Sequence, residues 1–183
     1  MVGTLRSLWR DCRGVTAMEF GLILPVLVFL SVGTVEFGRM ILLVQKVQNG
    51  TFVLADLAAR DEELHEDQLN NMFLAVNNIL EPFEFGDIGT AVVTSVTVND
   101  DGDPIINWQR FGSGTLETDS EIGEEGDEAE LPENIPLNVG ETLIVSEVFF
   151  QYEPIFGLTA EPTTLRRVAY VKPRIGTLQA LAE

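Results

Sequence analysis

Glu19 is the residue whose surroundings most demand a chemical reason. It stands in the apolar run VTAMEFGLILPVLVFLSVGTV, residues 15–35, five positions after Gly14 and directly before Phe20. A carboxylate at mid-bilayer depth costs about 2.5–3.5 kcal/mol on insertion scales, so an acid within a span is by default a functional feature. Close to the basic end of the run it can instead lie at the headgroup boundary, where the penalty is smaller. The other reactive side chains do not form a reactive set. The single histidine, His65, and the single cysteine, Cys12, fall on opposite sides of the apolar run and cannot make a nucleophile–base pair, and neither a Gly-rich phosphate loop nor a zinc spacing is visible. Asp100-Asp101-Gly102-Asp103 matches part of a calcium loop but lacks the remaining ligands and the bidentate Glu, so it reads as a turn. The sequence therefore predicts no enzyme, no catalytic residue, no metal site, no cofactor and no small-molecule substrate.

The element that must position Glu19 is a helix. An apolar run of about 18 residues or more is a membrane-span candidate, and residues 15–35 meet that length. Ahead of it, residues 1–14 carry Arg6, Arg10 and Arg13 against Asp11, net +2, whereas residues 36–183 carry 8 bases and 27 acids, net −19. Positive flanks stay in the cytoplasm, which puts the N-terminus inside and the C-terminal bulk outside. So acidic a domain is a poor partner for nucleic acid, whose phosphates need clustered Lys and Arg. One cysteine, in the leader, excludes an internal disulfide framework. A cleaved signal peptide ending near Ser31 and Gly33 is an alternative, as is an uncleaved anchor; against the first, the apolar run is long and its helical pattern continues past Gly33.

The pattern around Glu19 extends further. A basic leader ending in Gly14, with Val15 following, Glu19 five places on and an aromatic next, resembles the prepilin-peptidase site of type IV pilins, in particular the Flp (tight adherence) branch. The string RGVTAMEFGLILPVLVFLSVGTVEFGRM, residues 13–40, with its second Glu-Phe-Gly-Arg, resembles the start of TadE-like (TadE/TadF) minor pseudopilins. The resemblance is concentrated in residues 14–39. It implies cleavage after Gly14 by a prepilin peptidase, a mature chain starting at Val15, and a role in assembly, priming or the tip of a pilus. It also implies that Glu19 and Phe20 serve recognition and assembly, with other pilins or pseudopilins, the peptidase and the inner-membrane pilus machinery as partners.

Beyond residue 35 the apolar residues Phe37, Met40, Ile41, Val44, Val47, Leu54 and Ala58 recur at three- and four-residue steps, one stripe along a helix. At 1.5 Å per residue a helix over 15–60 reaches about 70 Å, more than twice a ~30 Å hydrocarbon layer, so half of it projects outward as a stem. Pro25 removes the amide bond to the carbonyl of Gly21 and predicts a kink; Asn49-Gly50 predicts a second weak point. Leu69, Met72, Phe73, Val76, Ile79 and Leu80 predict a helix over 66–80, closed by Pro82, with His65 solvated at its start. From Ile88 the period changes to two. TAVVTSVTVN and PIINWQRF flank the Asp-Gly turn as a hairpin, and ETLIVSEVFFQY and TTLRRVAYV supply two more strands. Phe149, Tyr152 and Phe156 are expected against the stem. Residues 113–134, with nine acids and no base, read as a mobile loop. Arg166, Arg167, Lys172 and Arg174, four of the eight bases after the leader, are available to that loop, to a neighbouring subunit or to water.

The expected architecture is α+β and pilin-like: a basic leader (1–14), a transmembrane and stem helix (15–60), and an extracytoplasmic head (61–183) built on a small antiparallel sheet. The expected location is the bacterial inner membrane, single-pass. Two other readings stay open, an uncleaved anchor presenting an acidic protein-binding domain and a secreted domain released near Gly33.

Overall fold

A computed structural model describes residues 13–157 and 162–182, with the side chain of Arg13 left out. The elements are α1 (Arg13–Ala58), α2 (Glu66–Leu80), α3 (Phe85–Ile88), β1 (Gly89–Val98), β2 (Pro104–Gly112), β3 (Thr142–Tyr152) and β4 (Thr163–Val171). The expected α+β class is borne out. The chain divides into two compact units, Met1–Met40 with Pro154–Glu161 and Ile41–Glu153 with Pro162–Glu183.

In the first unit α1 presents its apolar residues outward, from Val15 through Leu30. Ser31 and Thr34 return their hydroxyls to the carbonyls of Leu27 and Leu30, at 2.7 and 2.8 Å, which satisfies both polar groups inside the helix. The helix continues through Pro25 without interruption. Further along the same unit Glu36 is buried and accepts the backbone N–H of Phe156 at 3.2 Å.

In the second unit α1 also runs unbroken through Asn49-Gly50, and the glycine has a packing role instead of marking a bend. A Cβ at Gly50 would stand 3.3 Å from Leu80 and 3.6 Å from Val76, so the missing side chain lets α2 close on α1. Lys46 donates to the Ile79 carbonyl at 2.8 Å along the same contact. The helix over 66–80 has the expected bounds, and Gln68 closes its first turn by accepting the His65 N–H at 3.0 Å.

The sheet order is β2-β1-β3-β4, every pair antiparallel. β2 and β3 flank β1 and therefore run parallel to each other, so the chain between them must cross a face of the sheet to re-enter in the same direction. That crossover contains the acidic segment, and here the expectation of a mobile loop is corrected. Ile122 and Ala129 are buried with Val96, Ile106, Leu143 and Val145, while Leu131, Ile135 and Leu137 pack around them. The segment also hydrogen-bonds the edge of β2, through Ile106 N–H to Asp127, Gly126 N–H to Ile106 and Ala129 N–H to Pro104. Ile122, Ala129, Leu131, Ile135 and Leu137 are spaced so that they reach the sheet while the acids of 113–134 face outward. β1 is consequently buried along its whole length and β3 at all but one position.

The opposite face meets α2 and the C-terminal segment. A Cβ on Gly112 would overlap the Phe73 ring at 2.2 Å, and Phe150 stacks on Phe85 at 6.2 Å between centroids, with Phe83 edge-on. The carbonyl of Leu178 accepts from the Trp108 indole at 2.9 Å and from Ser95 at 2.8 Å. Phe149 does not join this side, contrary to expectation. Strand parity turns it to the crossover face, where the Arg166 guanidinium lies 6.0 Å over its ring.

Candidate functional site

The residues singled out by the sequence lie together at the start of α1. Gly14 and Val15 occupy the first turn, and Glu19 shares a helical stripe with Val15, Leu22, Ile23 and Val26 at three- and four-residue intervals. The stripe is exposed along its length, with Leu22 at 80%. Phe20 lies beside it and is exposed as well. Glu19 is thus a lone carboxylate set in a strip of apolar side chains, with no hydrogen bond or ion pair among the described residues. Pro25 follows on the next turns. Arg6, Arg10 and Cys12 lie outside the described residues, and Arg13 begins the helix.

The remaining polar candidates resolve into structural contacts. Asn99 accepts the amides of Asp101 and Asp103 at 3.0 and 2.8 Å, and Gly102 takes φ +96°. That is the geometry of a tight hairpin turn, where only glycine avoids a steric penalty. Among the described residues no three His, Cys, Asp or Glu side chains gather as a metal site. His65 borders a surface depression with Glu66, Asp67 and Arg110, in which Arg110 is paired to Glu66 at 3.0 Å.

The late bases are divided among partners. Arg166 pairs with Glu121 of the crossover at 2.9 Å and with the buried Glu147 at 2.7 Å. Lys172 pairs with Glu141 at 2.6 Å. Arg174 pairs with Asp56 of α1 at 2.5 Å, and Arg60 binds the other oxygen of the same carboxylate at 2.9 Å. The Arg60 hydrogen bond, with Arg174 close by, holds the Asp56 carboxyl below its ordinary range. Arg167 donates to the carbonyl of Arg166 at 2.8 Å.

Two residues were not singled out by sequence reasoning. Glu147 stands in VSEVFF at an inward parity, and an acid in that position signals a buried pair, though not which base supplies it. Glu36 heads the second Glu-Phe-Gly-Arg of the pattern, yet its contact lies 120 residues away in sequence.

Neither curated proteins nor solved structures include a match to this chain. The apolar run of α1 has the length and composition of a single membrane span, with a mean hydropathy of 2.2 over a window in which no residue is buried among the described residues. Residues 14–56, that run together with nearly all of its amphipathic continuation, match the family model described as TadE-like protein, which bears out the resemblance carried by residues 14–39.

Proposed function

We propose that the chain is a minor pseudopilin of a Flp/Tad-type pilus, processed by a prepilin peptidase after Gly14 and acting in assembly, priming or the tip. The observation that carries this reading is the outward-facing apolar half of α1 with Glu19 inside it. Fully burying one large apolar side chain gains about 1.5–3 kcal/mol, and here the cover has to come from lipid or from other helices. Lipid suffices for the apolar residues. It does not suffice for Glu19, which needs a cationic partner wherever it is desolvated.

Cleavage after Gly14 creates that partner, the new amine of Val15 on the same chain or on a neighbour. A subunit seated one step out of register leaves the buried carboxylate unpaired at a cost of about 3–5 kcal/mol, so the pair selects the register of lateral packing. In this scheme Arg6, Arg10 and Arg13 hold the leader in the cytoplasm, residues 15–60 form span and stem, and residues 61–183 form the extracytoplasmic head. Pro25 weakens the helix where a subunit passes from bilayer to filament. Other pilins, the peptidase and the inner-membrane assembly machinery are the partners.

Intact mass and N-terminal sequencing of the protein from native, piliated membranes test the assignment. A start at Val15 is expected. A start at Met1 replaces it with an uncleaved anchor, and a start at Thr34 with a secreted domain.

A further inference from the structure

In the unit that holds the apolar end of α1, Glu36 does something a membrane span does not require. It is 1% exposed, its Oε1 accepts the Phe156 N–H, and its Oε2 has no hydrogen-bond partner among the described residues. A carboxylate withdrawn from water needs hydrogen bonds to offset its desolvation, and a loop amide needs an acceptor. The bond gives the loop amide its acceptor and one carboxylate oxygen its donor, and it fixes Phe156 at the level of residue 36 of the helix.

That level has a meaning once the span is counted. At 1.5 Å per residue, about 20 residues cross a ~30 Å hydrocarbon layer, so a span beginning at Val15 leaves the layer near Thr34, half a turn before Glu36. The pinned segment, Pro154-Ile155-Phe156-Gly157, has no charged side chain, and Ile155 and Phe156 are 53% and 50% exposed. Val35 and Phe37 on the helix are exposed beside Glu36 in sequence, so the apolar surface of the span continues to the level where the loop is held.

We propose that Ile155 and Phe156 form an interfacial membrane contact, a short apolar loop that Glu36 holds at the outer headgroup region of the bilayer that α1 crosses. The inference rests on the reading of residues 15–35 as a span. The headgroup boundary is the occupant because the loop lies where the lipid-facing surface of the helix ends, and because an aromatic and an aliphatic side chain on a short turn suit that depth without a shaped partner. Glu36 is a positioning residue here, acting through the backbone of Phe156.

The full-length chain in phosphatidylcholine–phosphatidylglycerol vesicles tests this. Cys12→Ser removes the one cysteine, after which Phe156→Cys, Phe29→Cys and Asp101→Cys each carry a nitroxide whose relaxation is read against oxygen and a water-soluble nickel chelate. The expected order is oxygen-dominated at 29, a shallow lipid signature at 156 and nickel-dominated at 101. Adding Glu36→Ala should abolish the lipid signature at 156 and leave 29 and 101 unchanged. Glu36→Gln, which keeps an acceptor for the Phe156 N–H, should retain it. A label at 156 in water while 29 is in lipid overturns the loop contact alone. Water exposure at both overturns the span and the contact together. Shielding of 156 from both reagents places it against protein, and persistence of the lipid signature in Glu36→Ala removes Glu36 from its role; either result overturns the proposal.

Discussion

Arg166 forks onto a single oxygen of Glu147, its Nε and Nη2 donating at 2.9 and 2.7 Å, while Glu147 is wholly buried in the middle of β3. The second carboxylate oxygen accepts the hydroxyl of Ser120, and the first also receives the Glu121 amide at 3.3 Å. Because Arg166 reaches outward to Glu121 as well, at 2.9 Å, the cluster ties the acidic crossover to the sheet it covers. An acid-rich segment that would repel itself in isolation is anchored by one buried carboxylate shared between its backbone and a strand arginine.

Removing only the base should therefore be costly. Arg166→Ala leaves Glu147 buried and uncompensated, and about 3–5 kcal/mol of stability is expected to disappear. Replacing both partners, Glu147→Leu with Arg166→Met, should cost much less, since apolar substitution of a buried pair is often neutral. Urea unfolding followed by Trp108 fluorescence measures both, because that indole is buried and bonded to Leu178. Equal losses in the two variants would falsify the role given to the pair.

Glu141 and Lys172 should show a pH signature. The Lys172 hydrogen bond, with further ones from Asn138, lowers the Glu141 carboxyl from 4.5 to about 2. A depressed folded value means the unfolded chain takes up the proton first, so the stabilisation is complete above about 4.5 and is lost as pH falls through about 2. Carboxyl-carbon NMR should give a Glu141 midpoint near 2 in the unaltered chain. In Lys172→Ala the midpoint should move up toward the ordinary glutamate range.

Gly112 is constrained by space, not by backbone angle. Ala at this position would push its Cβ to 2.2 Å from the Phe73 ring, which is buried and has little room to give way. Overpacking of this kind costs about 1–3 kcal/mol. Gly86→Ala, where the added carbon meets nothing within 4 Å, serves as the comparison and should be close to neutral. Adding Phe73→Leu to Gly112→Ala should recover part of the loss, and thermal melts of the unaltered chain, both single variants and the double variant read the coupling.

Glu19→Gln and Glu19→Ala should insert into membranes at normal levels and fail to enter pili. Carbonate extraction checks insertion, and quantification of sheared filaments checks incorporation. Normal piliation by either variant removes the assembly role assigned to this residue.

The sequence by itself determined the local structure and the apolar segment long enough to cross a membrane. Apolar length, the switch from a three-and-a-half-residue period to a two-residue period, and the punctuation by Pro82, Gly102 and Pro154 are signals between near neighbours, and they specified the two long helices, all four strands and the apolar strip around Glu19, though not the single-turn helix α3. The tertiary structure decided everything that depends on residues far apart in the chain. That the acids of 113–134 ride on a crossover follows from the strand order, which no local pattern encodes. That Phe149 faces Arg166, while Phe150 faces the helices, follows from which face that crossover takes. Glu36 and Phe156 meet across 120 residues, and Gly50 and Gly112 are needed only because Leu80 and Phe73 arrive against them. Pairings of this kind are fixed by packing once the elements exist, since a buried charge or a missing Cβ acquires its reason only from the neighbour that the fold delivers.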